Sequence, residues 1–309
     1  MSHFIIEGKV KMSDTPVKPP APIAVIGLGN MGVPMSACLV RAGFKVSGFD
    51  QSETARKRFA EAGGTATETA EDAVRDADVV ITLLPDGKIV KVVLEKLKPA
   101  LKSGAIVMEM SSSEPLATAE LGQGFIRAGH GFIDAPISGG VRKATDGTLA
   151  IMVGGEGATI DRVEAVLGAM GKSIFRTGKL GSGHAVKALN NYVSAAGLIA
   201  AVEATMIAEK FGLDLELMAD ILNASTGRNN TTEVKLKPFI ISKKFNAGFP
   251  LKLMAKDVRT ADSLARALNV PTPFADLCSE LWDGAAKSLG ETADHTAIGL
   301  HIEKLKSQP

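Results

Sequence analysis

The sequence predicts a doubly wound parallel α/β domain followed by an all-helical domain. Three observations carry that prediction. Between residues 21 and 181, short apolar runs of strand length alternate with segments of helical periodicity. The first run breaks at a glycine-rich turn that opens a helix. Beyond residue 181 no strand-like run recurs, and apolar residues keep helical spacing. The expected division is a lead-in over 1–20, a nucleotide-type α/β domain over 21–181 and a helical domain over 182–309.

The elements follow in order. Residues 1–20 end in a Pro/Lys-rich stretch and lack the apolar core and cleavage site of a signal peptide. They read as a disordered lead-in, with Met12 a candidate start. PIAVIGLG is a buried strand, and VPMSACLVRAGF is a helix closed by Gly43. KVSGFD is a second strand and SETARKRFAEAGG a second helix. ADVVITLLP is a strand stopped by Pro85. The helix IVKVVLEKLKPAL and the strand AIVMEMS come next. A helix then starts at 113–115, where Ser113 can cap and Pro115 can take the first turn. GFIDAPIS and TLAIMVGG are further strands. From Ala185 to Phe211 the helical signal is nearly continuous and ends at Gly212. LELMADILNAS, PLKLMAKDVRTADSLARAL, PTPFADLCSELWDGAAKSLG and a short tail complete the helical domain.

The totals exclude several classes. A net charge of +1 over 309 residues gives no reason to expect nucleic acid or an anionic membrane as partner. Cys38 and Cys278 have no ligand-like spacing and read as core thiols of a reduced, cytoplasmic setting. No HxxxH pair occurs, so no metal is expected. The longest apolar stretch, near Val193–Val202, is too short to span a bilayer.

Residues 27–32, GLGNMG, fit G-x-G-x-x-G in the context that gives the pattern meaning: a strand before it, a helix after it. Gly27, Gly29 and Gly32 allow a tight turn and close approach to a pyrophosphate. The backbone of Leu28, Asn30 and Met31 lines the same turn, and the helix start supplies N–H donors. Asp50 ends the second strand, where a carboxylate can accept hydrogen bonds from ribose hydroxyls and repel a 2′-phosphate. This favours NAD. Arg56 and Lys57 stand close by and leave NADP open.

DAPISGG, residues 134–140, also ends a strand. Ser138, Gly139 and Gly140 can form a carboxylate-binding nest, or an ordinary turn. In GSGHAVKALNN, residues 181–191, Lys187, Asn190 and Asn191 share one helical face, with Gly183 one turn before Lys187. A buried amine and two amides want internal partners or a polar ligand.

On GLGNMGVPM (27–35), DAPISGG with GTL (134–149), GSGHAVKALNN (181–191) and LMAKD (253–257), the chain resembles the β-hydroxyacid dehydrogenase family over about residues 22–300. The resemblance implies a Rossmann domain joined by a long helix to a helical domain, assembled as a homodimer or homotetramer. It implies NAD(P)-dependent oxidation of a small 3-hydroxy acid, or reduction of its semialdehyde. Lys187 resembles the catalytic lysine, and Asn191 the asparagine that holds substrate and lysine. Ser138 and Gly139 resemble the substrate-carboxylate site, and Lys256 a lysine that reaches the cofactor. Leu84, Pro85 and Ser112 match positions lining the cofactor. Three departures stand out: Cys38 where the family often has asparagine, Trp282 where it has tyrosine, and Arg142-Lys143 in place of a glycine after the SGG turn.

In this reading a nicotinamide takes hydride while Lys187 handles the hydroxyl proton, its pKa lowered in a dry cationic cleft. His184 is the rival acid/base. His130, His295 and His301 read as surface or structural. Arg142, Lys143, Asn229 and Asn230 can dress the substrate pocket, with a solvated loop the plainer reading. Three alternatives remain: a tartronate semialdehyde reductase or 2-(hydroxymethyl)glutarate-type dehydrogenase, a decarboxylating enzyme acting on a phosphorylated sugar acid, and a non-catalytic dinucleotide-binding scaffold.

Overall fold

The computed structural model describes residues 15–305. The chain divides into two compact units, the boundary falling between Lys187 and Ala188.

The first unit is built on one sheet. Its strands are β1 (Pro22–Ile26), β2 (Lys45–Phe49), β3 (Thr65–Ala66), β4 (Val79–Thr82), β5 (Ile106–Glu109), β6 (Gly131–Asp134), β7 (Ile137–Ser138), β8 (Leu149–Gly155) and β9 (Gly171–Gly178). The spatial order is β3-β2-β1-β4-β5-β6-β8-β7, with β9 paired to β8. From β3 to β6 all pairings are parallel, and the order reverses direction between β1 and β4. Ligands of doubly wound sheets bind at that reversal, beyond the carboxyl ends of the strands. β8 runs antiparallel to β6 and β7, so the sheet is mostly parallel.

The connecting helices are α1 (Gly32–Arg41), α2 (Glu53–Glu61), α3 (Ala70–Val74), α4 (Gly87–Leu97), α5 (Pro115–Arg127), α6 (Gly140–Asp146), α7 (Gly157–Arg162) and α8 (Glu164–Met170). They cover both faces, so β1, β4, β5 and β6 are buried nearly throughout. This is why those strands read as continuous apolar runs. One cluster under the sheet gathers Val25, Leu39, Phe59 and Ile133, and another on the opposite face gathers Val80, Leu94, Phe125 and Phe132.

The stretch 156–180, given no element by its pattern, holds α7, α8 and β9. These pieces are too short, or β9 too solvent-exposed, to show a clear period. α5 begins at Pro115 as expected, but its N-cap is Glu114 and no side chain caps it. The Ser113 hydroxyl is buried without a hydrogen-bond partner. Order begins before Ala21: Val17 is buried and its N–H donates to the Arg162 carbonyl at 2.7 Å. The rest of the expected lead-in, residues 1–14 with Met12, lies outside the described residues.

The long helix α9 (Ser182–Phe211) leaves the first unit at Lys187 and continues in the second. Gly212, at φ +89°, ends it as expected. By length and composition α9 could cross a bilayer, contrary to the reading from the Val193–Val202 run alone. Its residues Ala195, Leu198, Ile199 and Val202 are instead packed in the core of the helical unit.

That unit adds α10 (Leu215–Ala224), α11 (Asn230–Val234), a π-helical turn at Leu236–Ile241, α12 (Leu251–Ala267), α13 (Pro273–Leu289) and α14 (Ile298–Leu305). Its core closes on wholly buried Trp282 and Cys278 with Leu251, Val258 and Ile298. Burial pushes the Cys278 thiol up to about 11, which suits a core thiol. Cys38 is also buried, its Sγ donating to the Ala144 carbonyl.

Candidate active site

The glycine turn joins β1 to α1. Gly27 sits at φ +101°, where a Cβ would meet the Leu83 carbonyl oxygen at 2.3 Å. A Cβ at Gly32 would meet the Gly27 carbonyl oxygen at 2.0 Å. These two glycines let strand, turn and helix pack. Gly29 differs, because a Cβ there would meet nothing within 4 Å. It leaves bare backbone facing open space, and no side chain caps the start of α1. A turn with exposed backbone beside an uncapped helix start fits a pyrophosphate.

Asp50, just after β2, accepts the Leu28 N–H on Oδ2 at 2.7 Å and the Ser52 N–H on Oδ1 at 2.8 Å. The carboxylate is thereby fixed against the glycine turn. Arg56 folds back on the strand end, donating to the Asp50 carbonyl at 2.7 Å and lying over the Phe49 ring. Lys57 pairs with Glu53 one turn away on α2. After β4, the Leu84 N–H donates to Ser111 Oγ at 3.0 Å, which ties the Leu84–Pro85 loop to the Ser111–Ser112 loop after β5.

Ser138 ends β7 and Gly139 precedes α6. Gly139 and Gly140 take φ +134° and +68°, which favour glycine. A Cβ at Gly139 would strike the Lys143 side chain, so Lys143 lies across this turn.

The approach to α9 revises the reading of its glycines. A Cβ at Gly183 would meet the Met152 carbonyl oxygen at 2.3 Å and Asp134 Oδ2 at 2.8 Å. Gly183 serves close packing of the helix on the sheet; it does not clear a surface for ligand. Asp134 Oδ1 accepts the Gly181 N–H at 2.7 Å, and Oδ2 accepts the His184 N–H at 2.8 Å.

His184 is wholly buried. Its Nε2 lies 2.8 Å from Glu109 Oε2 and 3.2 Å from the Ser111 carbonyl oxygen, and its Nδ1 lies 3.6 Å from Asp134 Oδ2. The carbonyl has the better hydrogen-bond alignment, so Glu109 acts on the ring as a close ion pair. Glu109 Oε1 accepts the Ser111 N–H at 2.9 Å. Burial pulls the His184 pKa down, but Glu109 and Asp134 overcome it and the net shift is upward. Burial raises Glu109, yet the imidazolium and the Ser111 bonds hold it below its ordinary value. For Asp134 burial wins and the pKa is raised. A ring this buried and this firmly ion-paired cannot meet a substrate proton, which removes His184 as rival acid/base.

Lys187 follows one turn after His184 and is partly exposed. One further turn along, Asn191 is buried; its Nδ2 donates to Asp257 Oδ2 at 2.5 Å and its Oδ1 accepts from Asn190 Nδ2 at 3.1 Å. Lys256 Nζ lies 3.7 Å from Asp257 Oδ1. The sequence reading missed Asp257, although it stands in the quoted LMAKD motif beside Lys256. It also missed Glu109 and Asp134, whose only signal was a carboxylate at the end of an otherwise apolar strand. Asn229 is not a solvated loop residue. Its side chain caps α11 in a reciprocal arrangement with Thr232. His130, His295 and His301 are all buried, so they are structural and none is a surface residue.

Comparison with known proteins bears on this geometry. Residues 22–178 match the family described as the NAD binding domain of 6-phosphogluconate dehydrogenase. Residues 181–301 match the NAD-binding domain of NADP-dependent 3-hydroxyisobutyrate dehydrogenase. The chain is 34% identical over 272 residues to 2-(hydroxymethyl)glutarate dehydrogenase of Eubacterium barkeri, covering 87% of this chain and 90% of that one. It is 35% identical over 280 residues to a probable 3-hydroxyisobutyrate dehydrogenase of Mycobacterium tuberculosis, covering 88% and 94%. A solved structure of Mycobacterium tuberculosis 3-hydroxyisobutyrate dehydrogenase with L-serine superposes with a TM-score of 0.84 at 34% identity, covering 91% of this chain and 98% of that one. With the glycine turn, the doubly wound sheet and the helical unit in place, the chain belongs to the β-hydroxyacid dehydrogenase family and is an NAD(P)-dependent dehydrogenase of hydroxy acids.

Proposed function

We propose that the enzyme reversibly oxidises a small 3-hydroxy carboxylate, of the 3-hydroxyisobutyrate type, to its semialdehyde, with Lys187 as general acid/base and NAD as the preferred cofactor. The observation that carries the reading is the pair Lys187–Asn191 on α9, one turn apart, with Asn191 fixed by Asp257 and the turn before Lys187 fixed by Asp134 and Glu109. A scaffold that only bound dinucleotide would have no use for a lysine and an asparagine set one turn apart on a helix start fixed this way.

When bound, the nicotinamide supplies a hydride acceptor. The residues of this chain handle what remains. Gly27–Gly32 (with Leu28, Asn30 and Met31) cradle the pyrophosphate. Asp50 takes the ribose hydroxyls, and Leu84, Pro85, Ser112 and Lys256 line the cofactor. Ser138, Gly139 and Gly140 hold the substrate carboxylate. Asn190 and Asn191 orient the carbinol, and Lys187 accepts its proton. An amine accepts that proton only when neutral, so oxidation speeds up as pH rises toward the lysine pKa. Positioning supplies much of the rate.

The same reading makes the enzyme a cytoplasmic homodimer or homotetramer. The small-residue stretch of α9 does not support the assembly, because Ala195, Ala201 and Ala208 are buried inside their own unit. Support comes from the opposite side of the helix, where Val193, Ile207 and Phe211 are exposed at 68%, 66% and 80%.

The test is a panel of short hydroxy acids with NAD and NADP, followed by absorbance of the reduced nicotinamide. NAD-dependent turnover of 3-hydroxyisobutyrate or a close homologue is expected. Turnover confined to a phosphorylated sugar acid, with release of carbon dioxide, would replace this reading by the decarboxylating one.

A further inference from the structure

The helical unit holds a lysine for which the proposed mechanism has no use. Lys235 stands between α11 and the π-helical turn Leu236–Ile241. Such turns are rare and frequent at functional sites. Asn229 at the other end of α11 pins the segment with its cap. The Lys235 side chain is half-buried, and its Nζ lies 3.4 Å from the Ser194 hydroxyl on α9. Among the described residues no carboxylate stands within ion-pair distance of it.

Asp294 is the acid nearest in effect, and it offsets only part of the downward push that burial exerts on the lysine. Its oxygens are committed elsewhere. Oδ2 accepts the N–H groups of Gly248 and Phe249, and Oδ1 accepts the N–H and hydroxyl of Thr296. His295 Nδ1 lies 3.2 Å from Oδ1 as well. Lys235 is therefore a partly desolvated ammonium served by one neutral hydroxyl. Such a group is costly unless an anion completes it.

Its place on α9 says where that anion would come from. Lys187, Asn191 and Ser194 stand at i, i+4 and i+7, along one face of the helix. Seven residues advance roughly 10 Å along the axis. A group held by Ser194 and Lys235 thus lies within the helical unit, farther along the face of α9 that carries Asn191.

We propose that Lys235 and Ser194 form a second anion subsite, which takes the distal carboxylate of a hydroxy dicarboxylic acid. The inference rests on the hydroxy-acid reading above and narrows it: the preferred substrate carries a negative group at each end, with the carbinol near one of them.

Two measurements test this. In steady-state oxidation, 2-(hydroxymethyl)glutarate should exceed 3-hydroxyisobutyrate in kcat/KM by roughly 10- to 100-fold, the share of a hydrogen bond to a charged group. Lys235→Met should bring that ratio close to one, and Ser194→Ala should lower it by less. Binding is read separately from turnover: glutarate should raise the melting temperature of the native enzyme at lower concentration than butyrate does, and Lys235→Met should abolish the difference. A native ratio near one, or a ratio unchanged in folded Lys235→Met, overturns the proposal. If Lys235→Met does not fold, Lys235→Gln takes its place, and equal responses of the native enzyme to glutarate and butyrate overturn the proposal without any variant. If glutarate binds in a Lys235-dependent way while no hydroxy acid on the panel is oxidised, the subsite stands and the hydroxy-acid reading fails.

Discussion

Glu109 and His184 meet at 2.8 Å with neither side chain reachable by solvent. With Asp134 on the far side of the ring, they bolt the first turn of α9 to the ends of β5 and β6. The His184 pKa is raised above its ordinary 6.5, so its stabilising effect is complete below 6.5 and is lost as pH rises through the folded value. Glu109 is lowered from 4.5, so its contribution is complete above 4.5 and is lost as pH falls through the folded value. Melting temperature measured against pH should therefore decline on the alkaline side. In His184→Gln it should be lower throughout and lack that His-linked decline. A native-like alkaline limb in the variant would show that the imidazolium does not hold the turn.

Lys187→Ala should cost on the order of 10²–10⁴ in turnover, the usual share of general acid–base catalysis. Lys187→Arg should not restore it, because a guanidinium stays protonated. Asn191→Ala should fall between the native enzyme and Lys187→Ala, keeping the amine but leaving Asp257 without its amide partner. Cofactor affinity, read by fluorescence titration, should change little in any of them. Near-native turnover in Lys187→Ala would sink the proton-transfer role.

Asp50 is held by the Leu28 and Ser52 N–H groups at the strand end. The native enzyme should show a higher kcat/KM with NAD than with NADP, and Asp50→Ala should narrow that gap. Equal use of the two cofactors by the native enzyme would contradict the assignment, with Arg56 then the residue to examine.

Two glycines of one turn should behave oppositely. Gly32→Ala drives a methyl into the Gly27 carbonyl and should destabilise by about 1–3 kcal/mol, read by chemical denaturation. Gly29→Ala meets open space, so its stability should stay near native while NAD binding weakens at least about tenfold, or about 1.4 kcal/mol. Native NAD affinity in Gly29→Ala would argue that the pyrophosphate does not lie there.

Exposed Val193, Ile207 and Phe211 on α9 should be covered by a second copy. Light scattering at micromolar concentration should give at least a dimer, and Phe211→Glu with Ile207→Glu should shift it toward monomer. A monomeric native protein would refute the assembly.

The sequence by itself determined the doubly wound sheet, the glycine turn and the long helix. Buried parallel strands read as apolar runs, turns break at glycine, and a helix places Lys187 and Asn191 on one face by spacing alone. These are properties of neighbouring residues, so a linear reading reaches them. The short pieces over 156–180 escaped because six to eight residues show no reliable period once they pack at a sheet edge. The site's supports escaped for a different reason. Asp134 reaches the His184 N–H across 50 residues of sequence, and Asn191 meets Asp257 across 66. No local pattern records such pairings. Only tertiary packing decided that Gly183 clears room for a carbonyl and a carboxylate, and that His184 is a buried clamp with no role as a base. It also left Lys235 facing a hydroxyl, with no carboxylate among the described residues within ion-pair distance. A charge becomes functional or structural according to what the fold brings within a few ångströms of it.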